Sequence, residues 1–261
     1  MDYPIPYSRD FFAYKPWLLN KKKLKSEFWS RFSWYYKPSL LLEFLAFIKK
    51  WNWLYLHFPF VKEIFLANSI AFNALKSTSD IDLFVVVQKG RVWTARLIMT
   101  FLMVLFNIKR TQKSEYKKFC LSFFVDEDHY DLEPLLLNEK DIYLPYWVAH
   151  LVPLYQEQIT NKIFEENSWI TRFLPHFPVM QTIFLWNQII TGRWIFKRLI
   201  EGILQWKLWD TFENLIKKLR FPRIIRLQKQ TPELHQECIV SDSILKFHYD
   251  KRKMYSDLFF S

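Results

Sequence analysis

The stretch Ser79-Asp-Ile-Asp-Leu-Phe-Val-Val-Val decides how the rest of the sequence is interpreted. The apolar, mostly β-branched and aromatic residues that follow Asp82 predict a strand over 81–87. Because side chains in a strand alternate between its two faces, we expect Asp80 and Asp82 to point the same way, about 7 Å apart along the backbone. Two carboxylates on one face repel each other unless a cation lies between them, and Mg²⁺ favours carboxylate oxygens. The stretch therefore predicts a strand that opens with a Mg²⁺ site.

A strand and a short helix are predicted immediately upstream. The apolar run 61–66 fits a strand, and 69–75 fits a short helix that begins at Ser69. A helix N-terminus presents free N–H groups and the positive end of the helix dipole, so a triphosphate could lie there, with the Ser69 hydroxyl as a further donor. The helix and the next turn would place Ser69 and Asp80 on two sides of one cleft. An Asp-x-Asp pair by itself would equally fit a turn followed by a capped strand.

Strands and helices alternate through the middle of the chain. The run 119–125 predicts another strand. Helical periodicity recurs at 39–53, 92–108, around Trp147 up to Pro153, 165–173, 179–190 and 194–219. This alternation predicts an α/β (α+β) fold with a small mixed sheet. We expect one body made of an N-terminal helical segment at 1–59, a core at 60–155 and a helical C-terminal part at 156–261.

Composition limits the classes of protein to which the chain can belong. With 3 Gly among 261 residues, it has no glycine-rich phosphate loop of the P-loop or dinucleotide-binding type. Its 2 Cys have no zinc-ligand spacing, and Cys120 is interpreted as a small core residue. The formal net charge of +11 indicates an anionic partner or a generally lysine-rich composition. No apolar run reaches the roughly 18–20 residues of a membrane span, so we expect a cytoplasmic protein without a transmembrane segment.

The order of strand, serine at a helix start and Asp-x-Asp strand resembles the nucleotidyltransferase (DNA polymerase β-like) superfamily, whose motif is Gly-Ser at a helix start followed by such a strand. More narrowly, the chain is similar to bacterial nucleotidyltransferase-domain proteins of similar length. The similarity is carried by Ala67-Asn-Ser-Ile-Ala-Phe-Asn-Ala, Ser79-Asp-Ile-Asp-Leu-Phe-Val-Val, Arg91-Val-Trp-Thr-Ala-Arg, Phe119-Cys-Leu-Ser-Phe-Phe, Asp141-Ile-Tyr-Leu-Pro and Ser241-Asp-Ser-Ile-Leu-Lys-Phe-His. It covers 60–155 well and the C-terminal part loosely. The resemblance implies a nucleoside triphosphate donor and Mg²⁺, and it does not identify the acceptor.

Two positions depart from the superfamily pattern. Asn68 stands where the motif has Gly, and its side chain narrows the approach of the backbone to a phosphate. Asn tolerates a left-handed conformation better than most residues, so the turn itself is expected to survive. Active members carry a third carboxylate on a neighbouring strand, and the predicted strand 119–125 contains none. Asp126, directly after that strand, could replace it as the base, or could belong to a solvated turn with Glu127 and Asp128.

Two functions follow from these residues. The first is Mg²⁺-dependent transfer of a nucleoside monophosphate from a nucleoside triphosphate to an unknown acceptor. The second is a catalytically degenerate module that binds nucleotide or nucleic acid, which the missing Gly and the missing acid favour. A scaffold without a nucleotide site is a third reading, favoured if Lys or Arg caps the Asp pair. The predicted residues are Asp80, Asp82 and Asp126 for catalysis, Asp80 and Asp82 for the metal, and Asn68, Ser69, Lys76 and Ser79 for the nucleotide.

Basic residues are a second functional feature. Between 193 and 229 there are ten Lys and Arg against three Asp and Glu. This region could hold a nucleic acid backbone, with Trp194, Trp206 and Trp209 stacking on bases. It could instead be a helix with buried tryptophans and solvated lysines, or a surface for anionic lipid. Arg91 and Arg96 could pair with phosphate or form ion pairs within the protein.

Overall fold

The computed structural model describes residues 38–72, 74–111, 113–158, 160–174, 190–192, 195–204, 208–230 and 238–247. These residues form a mixed sheet of seven strands with helices packed on it, so the predicted α+β fold class is confirmed. Within this part of the chain, no helix is both long enough and apolar enough to cross a membrane.

The elements follow one another with short connections in the middle of the chain. The strands are β1 Val61–Ala67, β2 Ile81–Val87, β3 Phe119–Asp126, β4 Val152–Gln156, β5 Ile190–Thr191, β6 Ile239–Val240 and β7 Ile244–Lys246. The helices are α1 Pro38–Lys50, α2 Asn52–Tyr55, α3 Asn68–Ala71, α4 Val92–Leu105, α5 Tyr143–Ala149, α6 Lys162–Glu165, α7 Ile195–Leu204 and α8 Leu208–Gln230. Two 3₁₀ turns lie at Glu133–Leu135 and Ser168–Arg172. The predicted strands at 61–66, 81–87 and 119–125 are confirmed.

Strand β2 lies at the centre of the sheet, whose order is β5-β4-β1-β2-β3-β7-β6. It is antiparallel to β1 and parallel to β3, and all of its residues are buried. A parallel neighbour requires a crossover connection, which α4 provides between β2 and β3. Because the two strands are parallel, they begin at the same edge of the sheet. Side chains near the start of β2 therefore meet side chains near the start of β3.

Helices cover both faces of the sheet. The ring centroid of Phe47 in α1 lies 5.6 Å from that of Phe119. Phe119 pairs with position 81, three residues before Phe84, so Phe119 and Phe84 point to opposite faces. On the face of Phe84, Trp147 of α5 meets that ring edge-on at 5.4 Å. Asp82 shares this face with Phe84, so the start of β2 carries its carboxylate on the side that α5 covers.

Strand β4 is not predicted by the sequence, which places the end of a helix at Pro153 and more helix beyond it. In the structure β4 is antiparallel to β1, and Pro153 pairs with Phe65. Proline cannot donate a ladder hydrogen bond, so it is tolerated where one side of a strand has no partner. On its other side β4 pairs with β5 only at Tyr155 and Gln156, which leaves Pro153 beside no second strand among the described residues. Tertiary pairing with β1 therefore sets the conformation here.

Several predicted helices are shorter than the periodicity indicates. The helix predicted at 39–53 is divided into α1 and α2, and the one at 92–108 ends at Leu105. The helix predicted at 69–75 is reduced to the four residues of α3. The segment 165–173 is not a continuous α-helix, because the end of α6 and a 3₁₀ turn occupy it. Apolar spacing located these segments correctly and did not fix their ends.

The C-terminal part supplies both helices and strands. The helix predicted at 194–219 corresponds to α7 and α8, and residues 205–207 between them lie outside the described residues. The helix predicted at 179–190 also lies outside them, except for Ile190 in β5. Strands β5, β6 and β7 come from this part of the chain and join the same sheet as β1 to β4. The sheet therefore continues beyond the core predicted at 60–155.

Candidate metal and nucleotide site

Two carboxylates and a thiol meet where β2 and β3 begin. Asp80 precedes β2, Asp82 is the second residue of β2, and Cys120 is the second residue of β3. Each offers a ligand atom, and these atoms all lie within 4.8 Å of one another. Asp82 is buried, whereas 16% of the Asp80 side chain is exposed. The prediction that Asp80 and Asp82 point the same way is confirmed.

Asn68 ties the turn after β1 to this cluster. Its φ is 53°, so Asn68 adopts the left-handed conformation that the sequence led us to expect it to tolerate. Its side-chain amide donates a hydrogen bond to Oδ2 of Asp82 over 3.0 Å. Its Oδ1 accepts a hydrogen bond of 3.3 Å from the hydroxyl of Tyr143 in α5. Asn68 is thus a buried link between three elements that converge on the Asp pair.

Ser69 is the second residue of α3 and is partly exposed, unlike the buried Asn68. A helix of four residues aligns few peptide dipoles, so the predicted attraction of a helix dipole for phosphate is small here. What remains available at this position is the Ser69 hydroxyl and the local backbone N–H groups. Ser69 directly follows Asn68, the residue that is bonded to Asp82, and the longer helix that the sequence predicts is not formed.

Lys76 and Ser79 close the turn that leads into β2. The backbone N–H of Lys76 donates to Oγ of Ser79 over 2.9 Å, and the N–H of Ser79 donates to the carbonyl of Lys76 over 3.0 Å. Both residues are partly exposed. Their hydrogen bonds stabilise the turn that positions Asp80 in the cluster.

Cys120 pairs with Asp82 across the parallel strands. It stands on the neighbouring strand where the resemblance leads us to expect a third carboxylate, and the cluster found among the described residues contains none. Burial, followed by the charges of Asp82 and Asp80, raises the pKa of the Cys120 thiol well above its ordinary range. The thiol is therefore neutral near pH 7. The sequence led us to interpret Cys120 as a core residue only. Parallel strands begin at the same edge of a sheet, and this rule is the signal that would have placed Cys120 beside Asp82.

Arg110 caps the cluster from the segment between α4 and β3. Its Nη1 lies 3.0 Å from Oδ2 of Asp80 and 3.8 Å from Sγ of Cys120, and its Nη2 lies 2.7 Å from Glu115. Burial would lower the pKa of Arg110, but Asp80 and Glu115 raise it above its ordinary value. No periodicity or motif marks this residue in the sequence. Its ion pair with Asp80 is the kind of cap that the sequence analysis associates with a scaffold without a nucleotide site.

Asp126 does not belong to this site. It pairs with Val87 at the far end of β2, five residues beyond Asp82, which corresponds to roughly 16 Å. Its Oδ1 lies 2.5 Å from Nδ1 of His129 and accepts the N–H of Asp128 over 3.2 Å. The prediction that Asp126 replaces the missing acid is therefore wrong, because β3 carries it away from the edge where the Asp pair lies.

The basic residues that the sequence singled out lie in different environments. Nη1 of Arg91 lies 2.7 Å from Asp210, so the ion-pair alternative is confirmed for it. Lys197 is buried, and Lys217 pairs with Asp242, so neither belongs to an open cationic strip. Arg96 differs from these residues, because its guanidinium lies over an aromatic ring. Trp194 and Trp206, proposed to stack on bases, lie outside the described residues, as does the side chain of Trp209.

The side chains of the cluster fit Mg²⁺ through two carboxylates. Mg²⁺ is commonly held by one or two carboxylates, with water and substrate phosphate oxygens completing its coordination. A neutral thiol is a poor ligand for such a hard ion, so Cys120 would remain outside the coordination sphere. Arg110 would compete with a metal ion for Oδ2 of Asp80, so its guanidinium would have to move before a metal could bind that oxygen.

Comparison of the chain with protein-family models, with curated proteins and with solved structures found no match. The site is interpreted from its own chemistry: an acidic pair tied to a left-handed turn, a neutral thiol on the neighbouring strand, and a guanidinium that caps one carboxylate.

Proposed function

We propose that the chain is a Mg²⁺-dependent nucleotidyltransferase, which transfers a nucleoside monophosphate from a nucleoside triphosphate to an acceptor. The observation that supports this proposal is the hydrogen bond between Asn68 and Asp82. It joins the turn that carries Asn68 to the Asp-x-Asp strand, the two segments on which the resemblance to the superfamily rests. A cytoplasmic location, where nucleoside triphosphates are abundant, is part of the proposal.

In the proposed reaction, a hydroxyl oxygen of the acceptor bonds to the α-phosphorus of the triphosphate. The bond from that phosphorus to the oxygen bridging to the β-phosphate breaks, and pyrophosphate leaves with the electron pair. The hydroxyl proton passes to water, because the described cluster offers no third carboxylate. Asp80 and Asp82 would hold Mg²⁺, which neutralises phosphate charge when bound. Ser69 and the adjacent N–H groups would donate hydrogen bonds to the triphosphate oxygens.

A second candidate is a module that binds nucleotide without transferring it. Cys120 favours this candidate, since a neutral thiol next to two carboxylates cannot serve as the base that active members have. Loss of general-base catalysis typically slows a reaction by about 10² to 10⁴. The ion pair between Arg110 and Asp80 favours the third reading, a scaffold without a nucleotide site, because it has to open before Asp80 can hold a cation.

Thermal unfolding of the full chain with each nucleoside triphosphate, with and without Mg²⁺, tests the part that both candidates share. A ligand at 100 times its Kd adds about 2.7 kcal/mol to the free energy of unfolding. We expect a Mg²⁺-dependent rise in Tm that disappears in Asp80→Asn/Asp82→Asn. The matched control is Glu139→Gln/Glu166→Gln, which removes two exposed carboxylates away from the site.

Transfer is measured separately, as pyrophosphate release and as movement of an α-phosphate label onto candidate acceptors. Release that depends on the Asp pair supports the transferase. Mg²⁺-dependent binding without release, across hydroxyl acceptors of several classes, supports the binding module. The absence of any Mg²⁺-dependent shift with every triphosphate would overturn both candidates.

A further inference from the structure

Helix α4 is apolar on both of its sides, and one of these sides is exposed. Val92, Met99 and Met103 are buried, whereas the exposed fractions of Phe101 and Leu105 are 64% and 63%. Phe101 and Leu105 lie one helical turn apart, so they share a face of the helix. A helix that is apolar all round is usually covered on every side. We therefore expect the exposed face of α4 to have a partner.

Aromatic rings extend this exposed face beyond the end of α4. The ring centroid of Phe106, directly after the helix, lies 5.6 Å from that of Trp53 in α2 and 5.4 Å from that of Trp51. Trp53 and Phe106 are both exposed. The exposed apolar residues that meet here, which we call the α4 patch, are Trp53, Phe101, Val104, Leu105 and Phe106. A contiguous exposed apolar surface of this kind marks a site of interaction with a protein or a membrane.

Two lysines lie at the rim of the α4 patch. Nζ of Lys50 lies 5.7 Å from the centroid of the Trp51 ring, which itself contacts the ring of Phe106. The ammonium of Lys118 donates a hydrogen bond to the carbonyl of Asn107, the residue after Phe106. The apolar surface is therefore bordered by positive charge.

Carboxylates are scarce in the helices that carry and flank the α4 patch. Helices α1, α2 and α4 contain one between them, Glu43, and Lys117 pairs with it. A second copy of the chain, docked by two-fold symmetry, would bring two positive rims together, and like charges repel. A nucleic acid would meet aliphatic side chains where its phosphates require donors. An anionic bilayer matches both features, because its hydrocarbon accepts apolar side chains and its headgroups attract lysine.

We propose that the α4 patch docks on the surface of an anionic lipid bilayer. Helix α4 lies on the bilayer and does not cross it, because it has 14 residues, fewer than the roughly 20 of a span, and its other side is buried in the protein. Its exposed apolar side chains enter the boundary between headgroups and acyl chains. Trp53 lies at the headgroup level, where tryptophan is enriched because its ring is amphipathic. Lys50 and Lys118 contact the lipid phosphates.

Flotation of the full chain with lipid vesicles tests the apolar part of the proposal. Vesicles of phosphatidylcholine alone are compared with vesicles that also contain phosphatidylserine, and we expect binding to the mixed vesicles that weakens with salt. Phe101→Ser/Leu105→Ser should lower this affinity about tenfold or more, because two apolar side chains no longer leave water on binding. The matched control is Ile195→Ser/Leu199→Ser on α7, another pair one turn apart, with exposed fractions of 68% and 57%. The control should bind like the wild type.

The same assay tests the role of the charged rim. Lys50→Gln/Lys118→Gln should lower the affinity for the mixed vesicles about tenfold, because each lysine near an anionic surface contributes about 1 kcal/mol. The effect should be absent with phosphatidylcholine alone. The control Lys89→Gln/Lys140→Gln removes two exposed lysines outside the α4 patch and should bind like the wild type.

Three outcomes would overturn the proposal: no binding of the wild type to the mixed vesicles, an equal loss in the α7 control, or dimerisation through the α4 patch without vesicle binding. Sedimentation of the wild type and of Phe101→Ser/Leu105→Ser detects such a dimer. Val104→Asp changes one exposed side chain and places a negative charge in the patch, so it should abolish binding even if the double variant folds poorly. Asp80→Asn/Asp82→Asn should bind vesicles like the wild type, which separates this surface from the proposed nucleotide site.

Discussion

Asn68 and Asp82 are both buried, and a hydrogen bond of 3.0 Å joins them across 14 positions of sequence. The amide N–H partly compensates a carboxylate that has been removed from water. The same residue adopts a left-handed backbone conformation, so one side chain fixes both the turn and the orientation of the acid. The geometry of the site therefore depends on this one residue.

Replacement of Asn68 separates these two contributions. Asn68→Ala removes the hydrogen bond to Asp82 and places a Cβ without polar compensation at φ 53°, which we expect to cost about 2–4 kcal/mol in the free energy of unfolding. Asn68→Gly removes the same hydrogen bond and relieves the backbone, so it should cost about 1–2 kcal/mol less than Ala. Denaturant unfolding of both variants checks this order. If Ala and Gly were equally destabilising, the left-handed turn would contribute nothing.

Cys120→Asp introduces a carboxylate on the strand beside Asp82. Without metal, a third acid next to two others should lower stability, because the like charges repel in a site that is poorly hydrated. With Mg²⁺ the three acids can share the cation, so the variant should gain more stability from Mg²⁺ than the wild type does. The measurement is Tm against Mg²⁺ concentration. Cys120→Asn has a similar shape and no charge, and an equal gain in that variant would contradict the explanation.

The Cys120 thiol also predicts how stability varies with pH. Burial, with the charges of Asp82 and Asp80, raises the pKa of the folded thiol above that of the unfolded chain. As the pH rises above about 8.5, the unfolded chain releases this proton and the folded chain keeps it, so the free energy of unfolding falls. We expect wild type to lose stability relative to Cys120→Ala in this alkaline range, and the two to run parallel below it. Denaturant midpoints at several pH values measure the difference.

Glu213 of α8 supplies the cap that α4 lacks. Its carboxylate accepts hydrogen bonds from the N–H groups of Trp93 and Thr94, over 2.7 and 2.8 Å, and from the Thr94 hydroxyl. The side chain of Arg91, at the N-cap position itself, makes no capping hydrogen bond. Glu213→Ala should therefore destabilise the chain by about 1–2 kcal/mol, the usual effect of losing a cap. Asp210→Asn on the same helix removes an ion pair at the surface and should cost less.

Lys197 attaches α7 to the sheet from inside the protein. Its side chain is fully buried, with Nζ 3.2 Å from Glu157, 3.8 Å from Glu201 and 3.0 Å from the Tyr155 hydroxyl. Lys197→Met fills a similar volume and removes the cation that Glu157 and Glu201 share. Glu157 keeps its ion pair with Lys62, so the cost falls mainly on Glu201, and we expect about 3 kcal/mol, the lower end for a broken buried pair. Equilibrium unfolding measures the effect, with the exposed Arg198→Gln as the control. A neutral result would mean that the carboxylates find other partners.

The sequence by itself determined the central strands and the acidic pair. The β-branched and aromatic run at 81–87 and the apolar runs at 61–66 and 119–125 are local patterns, and burial on both faces of a central sheet enforces them. The shared direction of Asp80 and Asp82 follows from the two-residue period of a strand, which no tertiary contact has to supply. Tolerance of a left-handed turn at Asn68 was likewise a property of the residue itself.

The tertiary structure decided everything that depends on pairing between distant segments. Parallel register places Cys120 beside Asp82 and carries Asp126 to the opposite edge, and the sequence does not contain that register. Arg110 reaches Asp80 from a connection whose path is set by the crossover helix α4. Strand β4 exists because β1 offers it a partner, in spite of Pro153. Whether a segment forms a strand depends on its local side-chain spacing. Which strands become neighbours depends on how whole surfaces pack, and this pairing sets the geometry of the site.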